Sequence, residues 1–401
     1  MKRTFIVFGM MAASSLYAQA QRSDTGYAAK KLSKTEIQVV YSHYLQNGNH
    51  SAVTGGLGTE KLTVYSPEII YAHQFDSLNR FTLNTGVDVI SSASTDNIDF
   101  IMSSASKVDG HSYLNLSYNR RKKNRPFTIG GSIYTSIESD YTSAGLGINL
   151  QKSNTDQSRV YTAELDIFFD DLRWGRLSAQ DNLKLVYPQE LRYKEWFNIH
   201  RRRSYNLNTS IQQTIDKRTL LVIFPGVAFQ NGLLSTSFHR VFFKDSSEVV
   251  ENLPTHRWKV PLGIQLNRFI ADRYILRAYY RFYWDEWGIV ANTLQLEFPI
   301  KITPAFSVSP SFRVYTQHAA RYFNPSHQHE KTQQFYTSDY DLSSFNSYEP
   351  GLEAKFNLAG KRPSAVFNNL LLRYSHYKRS DGLKGHIMTM LVGFAYYKAK
   401  K

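Results

Sequence analysis

From residue 258 to residue 317, four consecutive segments alternate apolar and polar side chains with a period of two, and three tight connections join them. In the second segment Tyr274, Leu276, Ala278, Tyr280, Phe282 and Trp284 form an unbroken apolar and aromatic face. Arg273, Ile275, Arg277, Tyr279, Arg281 and Tyr283 form the opposite, basic one. The third segment sets Asn292, Leu294, Leu296 and Phe298 against Ala291, Thr293, Gln295 and Glu297; the fourth sets Phe306, Val308, Pro310, Phe312 and Val314 against Ser307, Ser309, Ser311, Arg313 and Tyr315. Period two specifies strands, because successive side chains of an extended chain point to opposite sides. A soluble sandwich alternates too, but on short strands that turn charge toward bulk water. Strands of about ten residues, aromatic at their ends, fit a transmembrane β-barrel, apolar toward lipid and polar toward the lumen.

The connections test this expectation. The pattern predicts an all-β, antiparallel, up-and-down outer-membrane barrel of about sixteen strands, with fourteen as the alternative if the weakest segments (the first, eighth and fourteenth) are discounted. The links after even-numbered strands, at 74–77, 122–125, 153–158, 215–218, 268–272, 301–304 and 360–366, are all short. The links after odd-numbered strands include every long one: 46–58, 93–110, 171–204, 231–256 and 318–348. An even number of strands with both ends of the chain on the periplasmic side sorts the connections in this way.

At the start, Lys2 and Arg3 precede an apolar run from Phe5 to Met11, and Ala18-Gln19-Ala20 offers small residues for cleavage. This reads as a cleaved signal peptide over 1–20, a polar and basic periplasmic segment over 21–36, and one barrel domain over 37–401. The chain has no cysteine, which excludes disulfides, thiolate catalysis and zinc–thiolate centres. Its formal net charge of +15 would suggest nucleic acid in a cytoplasmic protein, but an exported chain meets acidic lipid headgroups or anionic solutes instead. No nucleic-acid partner and no cofactor is expected. Aromatics make up 14% of the residues, enough to furnish girdles at both membrane interfaces. The expected partners are outer-membrane lipids and, during biogenesis, the barrel-assembly machinery, which would read the amphipathic last strand (Ile387 to Tyr397).

Several ordered motifs carry a family likeness. They are the run from Gln46 to Leu62 (QNGNHSAVTGGLGTEKL), Gly86 to Ser94 (GVDVISSAS) with its echo Ser103-Ser104-Ala105-Ser106, Arg313 to Ala320 (RVYTQHAA), and Thr337 to Ser343 (TSDYDLS). Together they resemble the Gram-negative envelope family catalogued as domain of unknown function 3570, over nearly all of the mature chain. The resemblance implies an outer-membrane barrel. It also points to an exported redox neighbourhood, with periplasmic lipoproteins or thioredoxin-like proteins as partners.

Four sets of residues are candidates for function. Arg273, Arg277, Arg281 and Arg313, with Glu297 nearby and Asp88 as a further acid, form a strip on the lumen side. The strip is either an anion-selective filter or a ladder of paired charges that stiffens the wall, with Asp88, Asp285 or Glu286 completing the pairing. His318, His327 and His329 share one long loop and are weak metal candidates, as are Asp96, Asp99 and Asp109 for calcium. The stretch from Thr54 to Glu60 lacks the ending of a phosphate loop, so its glycines are read as positive-φ turns with close packing. His200-Arg201-Arg202-Arg203 either meets anionic headgroups or is a solvated entry to a strand.

An outer-membrane lipase would need a serine oriented by a histidine at the rim, and no His-x-Ser signature of that class occurs among the 12 histidines. The sequence therefore predicts a non-enzymatic channel or export conduit for small anionic solutes. A non-conducting scaffold that docks periplasmic redox or lipoprotein partners is the alternative, with the long loops 93–110, 171–204 and 318–348 as candidates to plug the lumen.

Overall fold

Sixteen antiparallel strands close on themselves in the computed structural model, which describes residues 32–92, 108–123, 125–138, 141–172, 200–236, 239–357 and 367–399. The strands are β1 (Leu32–Asn47), β2 (Leu62–Gln74), β3 (Asn79–Ser92), β4 (Val108–Arg121), β5 (Phe127–Glu138), β6 (Tyr141–Ser153), β7 (Arg159–Asp171) and β8 (Arg201–Asp216). They continue as β9 (Thr219–Gly232), β10 (His256–Ala271), β11 (Tyr274–Asp285), β12 (Val290–Glu297, resuming at Ile300–Lys301), β13 (Phe306–Gln317), β14 (Phe345–Asn357), β15 (Phe367–Arg379) and β16 (Lys384–Ala399). Each strand pairs with its neighbours in sequence, and β1 pairs with β16 from Leu32↔Ala399 to Asn47↔Lys384. β12 is interrupted at Phe298 and Pro299, where proline has no N–H to give the ladder.

The distribution of apolar surface is inverted relative to a soluble domain. On β11 the exposed residues include Tyr274, Tyr280 and Trp284; on β10, Trp258, Val260, Leu262 and Ile264; on β16, Met388, Met390 and Tyr396. Their strand neighbours, which point inward, include Arg277, Tyr279, Arg281 and Tyr283 on β11, Lys259 and Gln265 on β10, and Ile387, Thr389 and Leu391 on β16. Exposed aromatics gather at both ends of the wall: Tyr118, Tyr161, Phe269 and Tyr274 toward the periplasm, and Phe169, Trp258, Trp284 and Tyr348 toward the outside. Only a closed barrel satisfies every strand's backbone while presenting such a belt to lipid. The chain is an outer-membrane β-barrel. No described helix is long and apolar enough to cross a membrane.

The strand number matches the sequence reading, and the boundaries shift at the weak strands. β1 begins at Leu32, so residues 32–36 belong to the wall rather than to the periplasmic segment. Its polar start gave no apolar signal because Lys34 and Glu36 pair inside the barrel at 2.5 Å, with Arg80 3.6 Å from Glu36. β8 starts at Arg201 and β14 at Phe345, each four residues ahead of the alternating core recognised in sequence. β16 extends to Ala399, which places Lys398 opposite Ser33 in the closing ladder. Residues 1–20, read in sequence as a signal peptide, and most of the 93–110 and 171–204 loops lie outside the described residues.

The largest packed group of buried apolar residues among those described lies at the outer mouth. Leu234, Leu253, Trp287, Ile289, Ala291 and Ala320 are buried together, with Tyr283, Tyr315, Tyr322 and Leu342 packed against them. Four connections supply the fabric of this cap: residues 48–61, residues 233–255 with a short hairpin (Arg240–Phe242 paired with Glu248–Val250), residues 286–289, which carry Trp287 and Ile289, and residues 318–344.

Candidate functional site

The register fixes which charges meet in the lumen. Arg277 stands directly across from Glu297, and the two are joined at 2.8 Å. Arg313 lies opposite Glu349, 3.5 Å away, and Arg373 pairs with Glu353, its Nε 2.9 Å from the carboxylate. Arg281 faces Thr293 and lies 5.9 Å from the Tyr283 ring; among the described residues no carboxylate is within ion-pair distance of it. Arg273 does not join this strip. It falls in the turn between β10 and β11, exposed at the periplasmic rim, because the chain reverses there.

The acids expected to complete the pairing are committed elsewhere. Asp88 is on β3 and contacts His111 Nδ1 at 3.1 Å. Asp285 is fully buried, accepts from Arg257 Nε at 3.0 Å and from the Tyr283 hydroxyl at 2.9 Å, and caps Ile289 N at 3.1 Å. Glu286 contacts His256 Nε2 at 3.2 Å and the backbone N–H of Trp258 at 3.1 Å. The acids that do neutralise the arginines, Glu349 and Glu353, went unrecognised because the first sits at the very start of the alternating segment read as that strand. The signal was available: they alternate inward on β14 between arginines of β13 and β15.

Across the lumen the wall is acidic. In a closed ring of sixteen, β3 faces β11 and β7 faces β15. Glu164 and Asp166 sit two residues apart on the inner side of β7, where the Tyr134 hydroxyl donates to them at 3.5 and 3.1 Å. Asp166 is 1% exposed, and its Oδ2 has no hydrogen-bond partner among the described residues. Nearer the mouth Asp170 takes a 2.6 Å bond from Arg202 Nε. Arg202 is therefore turned inward, His200 is buried, and Arg201 and Arg203 remain on the exposed side of the β8 entry.

At the mouth, specific contacts join the described loops to one another. The His50 ring stacks on Tyr340 at 3.8 Å, and His327 stacks on Phe242 at 5.2 Å. Lys244 pairs with Glu330 at 2.6 Å, and Lys331 pairs with Asp245, whose carboxyl is held at about 2 chiefly by that contact. The 318–344 loop is anchored to the inner wall: Gln317 Nε2 donates to the carbonyls of Asp341 and Ser343 at 2.9 and 2.8 Å, and Arg379 donates to Asp341 at 2.5 Å. Arg379 also lies 4.0 Å over the Phe345 ring. The glycine run behaves as its composition suggests. Gly55 and Gly56 have φ of +71° and +83°, and a Cβ on Gly56 would come within 2.8 Å of the Ser338 carbonyl.

The three loop histidines do not converge. His329 is fully buried and spends both ring nitrogens on Gln333, Asn324 and Thr337 at 3.1 Å; His327 lies against Phe242 and His318 is exposed. Asp96 and Asp99 lie outside the described residues, as does the side chain of Asp109, whose backbone pairs with Ile90 in β4. A different group gathers among the described residues: His239, Glu251 and Asp339, with ligand atoms all within 4.8 Å of one another. Sequence could not find it, since the three come from two loops.

Among solved structures the chain is similar to OprD from Pseudomonas aeruginosa, at 8% identity and a TM-score of 0.44, covering 95% of this chain and 98% of that one. It is also similar to OpdK from the same organism (8%, 0.41, 91% and 99%) and to a BenF-like porin from Pseudomonas fluorescens Pf-5 (7%, 0.42, 91% and 99%). No curated protein matches the chain. The family model described as protein of unknown function, DUF3570, matches residues 109–396, from β4 to near the end of β16, and the chain belongs to that family.

Proposed function

We propose that the protein is a non-enzymatic outer-membrane channel or export conduit for a small solute that carries an anionic group. The observation behind this reading is Arg281. It projects into the lumen between the paired Arg277–Glu297 and Arg313–Glu349 rungs and keeps its guanidinium available, flanked by Tyr279, Tyr283 and Thr293. Uncompensated arginine on a pore wall draws anions, and a sixteen-strand wall is wide enough to enclose water. The neighbouring ion pairs hold the strip rigid, so the lumen is not basic throughout; its positive character is local, on β11, and faces β3, which carries Asp88. The test is the reversal potential of the refolded protein in a planar bilayer under a salt gradient. Anion preference that falls in Arg281→Ala supports the reading. Absent conductance, or selectivity that Arg281→Ala and Arg277→Ala leave unchanged, refutes it.

The packed cap favours a second reading, a barrel that does not conduct and instead serves as an envelope scaffold for periplasmic lipoprotein or thioredoxin-like proteins. A silent bilayer together with recovery of such a partner from solubilised membranes would support it. Steady conductance with no partner recovered would oppose it.

A further inference from the structure

The cluster in the cap has the chemistry of a cation site. His239 Nδ1 lies 3.5 Å from Glu251 Oε2 and 3.8 Å from Asp339 Oδ2. A charge-assisted N–H···O bond settles at about 2.7–2.9 Å, so these separations are too long for an imidazolium held directly between two carboxylates. The shorter is what a shared ion sets and the longer is slightly wider; all three ligand atoms lie within 4.8 Å of one another and would draw together around an ion. With bonds of about 2.0–2.2 Å, ligand atoms around a tetrahedral ion stand about 3.3–3.6 Å apart.

Groups outside the cluster already hold both carboxylates in place. Glu251 Oε1 accepts from the backbone N–H of Thr236 at 2.8 Å, Oε2 accepts from Thr337 Oγ1 at 2.6 Å, and Asp339 Oδ1 accepts from Asp341 N at 2.9 Å. Glu251 is 5% exposed and Thr337 is fully buried, so this outer layer is fixed by packing. Donors of this kind orient ligands and recur around metal sites. The charge argument agrees. Two carboxylates and one imidazole share a poorly solvated pocket, and among the described residues Arg240 is engaged by Glu248 and Arg379 by Asp341 and Asp381.

We propose that His239, Glu251 and Asp339 bind one divalent transition-metal ion that clips the 233–255 loop to the 318–344 loop. One imidazole and two carboxylates suit Zn²⁺ or Mn²⁺, and the imidazole disfavours Ca²⁺. Water fills the remaining coordination positions. The role is structural: the ion fastens the two loops of the cap.

The experiment uses the full protein refolded in detergent, stripped with EDTA and dialysed. Zn²⁺, Mn²⁺ and Ca²⁺ are titrated separately by calorimetry, bound metal is counted, and hydrogen exchange is followed in peptides from both loops. The expected result is one tightly bound Zn²⁺ or Mn²⁺ per chain, with at least tenfold slower exchange in the two loops. His239→Gln and Asp339→Asn should each weaken that binding at least tenfold while the barrel keeps its heat-modifiable migration. Co²⁺ added to the unmodified protein should give visible bands in the range of low coordination number, a readout that needs no variant. Absence of stoichiometric binding, binding that survives both substitutions, or binding of Ca²⁺ alone overturns the proposal.

Discussion

Replacing Glu60 by glutamine should remove a pH dependence from the cap. Glu60 ends the 48–61 loop, with its Oε2 3.4 Å from His50 N and its carbonyl accepting from Gln46 Nε2 at 3.1 Å. Burial, reinforced by Asp341 and to a lesser degree by Asp339 and opposed by Arg379 and the His50 N–H, pushes its carboxyl from 4.5 up to about 7. The folded loop therefore holds this proton more tightly than the unfolded chain does. Its stabilisation is fully present below the unfolded value near 4.5 and is lost as pH rises through 7. At about 1.4 kcal/mol per pH unit the whole interval amounts to about 3 kcal/mol, and partial solvation of the carboxyl reduces it to about 1–2 kcal/mol. Glutamine keeps the shape and cannot ionise. At pH 8 the variant loop should exchange its amides about 5–30-fold more slowly than the parent, and at pH 4 the two should agree. The assay is hydrogen exchange of peptides spanning 48–61, corrected for intrinsic rates and run in EDTA so that metal binding does not contribute. A parent loop equally protected at both pH values, or a glutamine variant with the parent's slope, would refute the reasoning.

Three further outcomes are expected. Trp287 is 2% exposed, lies 4.1 Å beneath Arg257 and donates Nε1 to His256 O at 3.1 Å; Trp287→Ala should cost the cap about 3–5 kcal/mol, visible as rapid proteolysis of the outer loops with the wall intact. Gly56→Ala should cost about 1–3 kcal/mol, since φ is +83° and the new Cβ meets the Ser338 carbonyl, and the same proteolysis would show it. Asp285→Asn leaves the buried Arg257 without its carboxylate and should destabilise the mouth by about 3–5 kcal/mol in denaturant unfolding followed by tryptophan emission.

The wall was legible because its rule is local. Tyr274 to Trp284 declare a strand and its two faces in eleven residues, and the same periodicity predicted that Arg277, Arg281 and Arg313 point inward. What escaped was set by partners. The polar start of β1 is extended because β2 and β16 pair with it, and nothing within residues 32–36 announces that. The pairing of Arg313 with Glu349 depends on the register of β13 against β14, and Arg273 misses the lumen by lying just past the point where its chain turns. The cap is further from sequence still. Phe242 meets His327, and Glu251 meets Thr337, through contacts 85 and 86 residues long that no window of sequence contains.

The seam between β1 and β16 sets a condition on how the protein is made. The wall becomes continuous only when residues 32–47 meet residues 384–399, which are separated by nearly the entire polypeptide. Until then both terminal strands carry open rows of N–H and C=O groups, edges that recruit other chains as readily as each other. A ribosome cannot complete this molecule domain by domain. A chain in this unfinished state exposes its lipid-facing side chains to water, and it becomes a protein in the structural sense only on arrival at the bilayer.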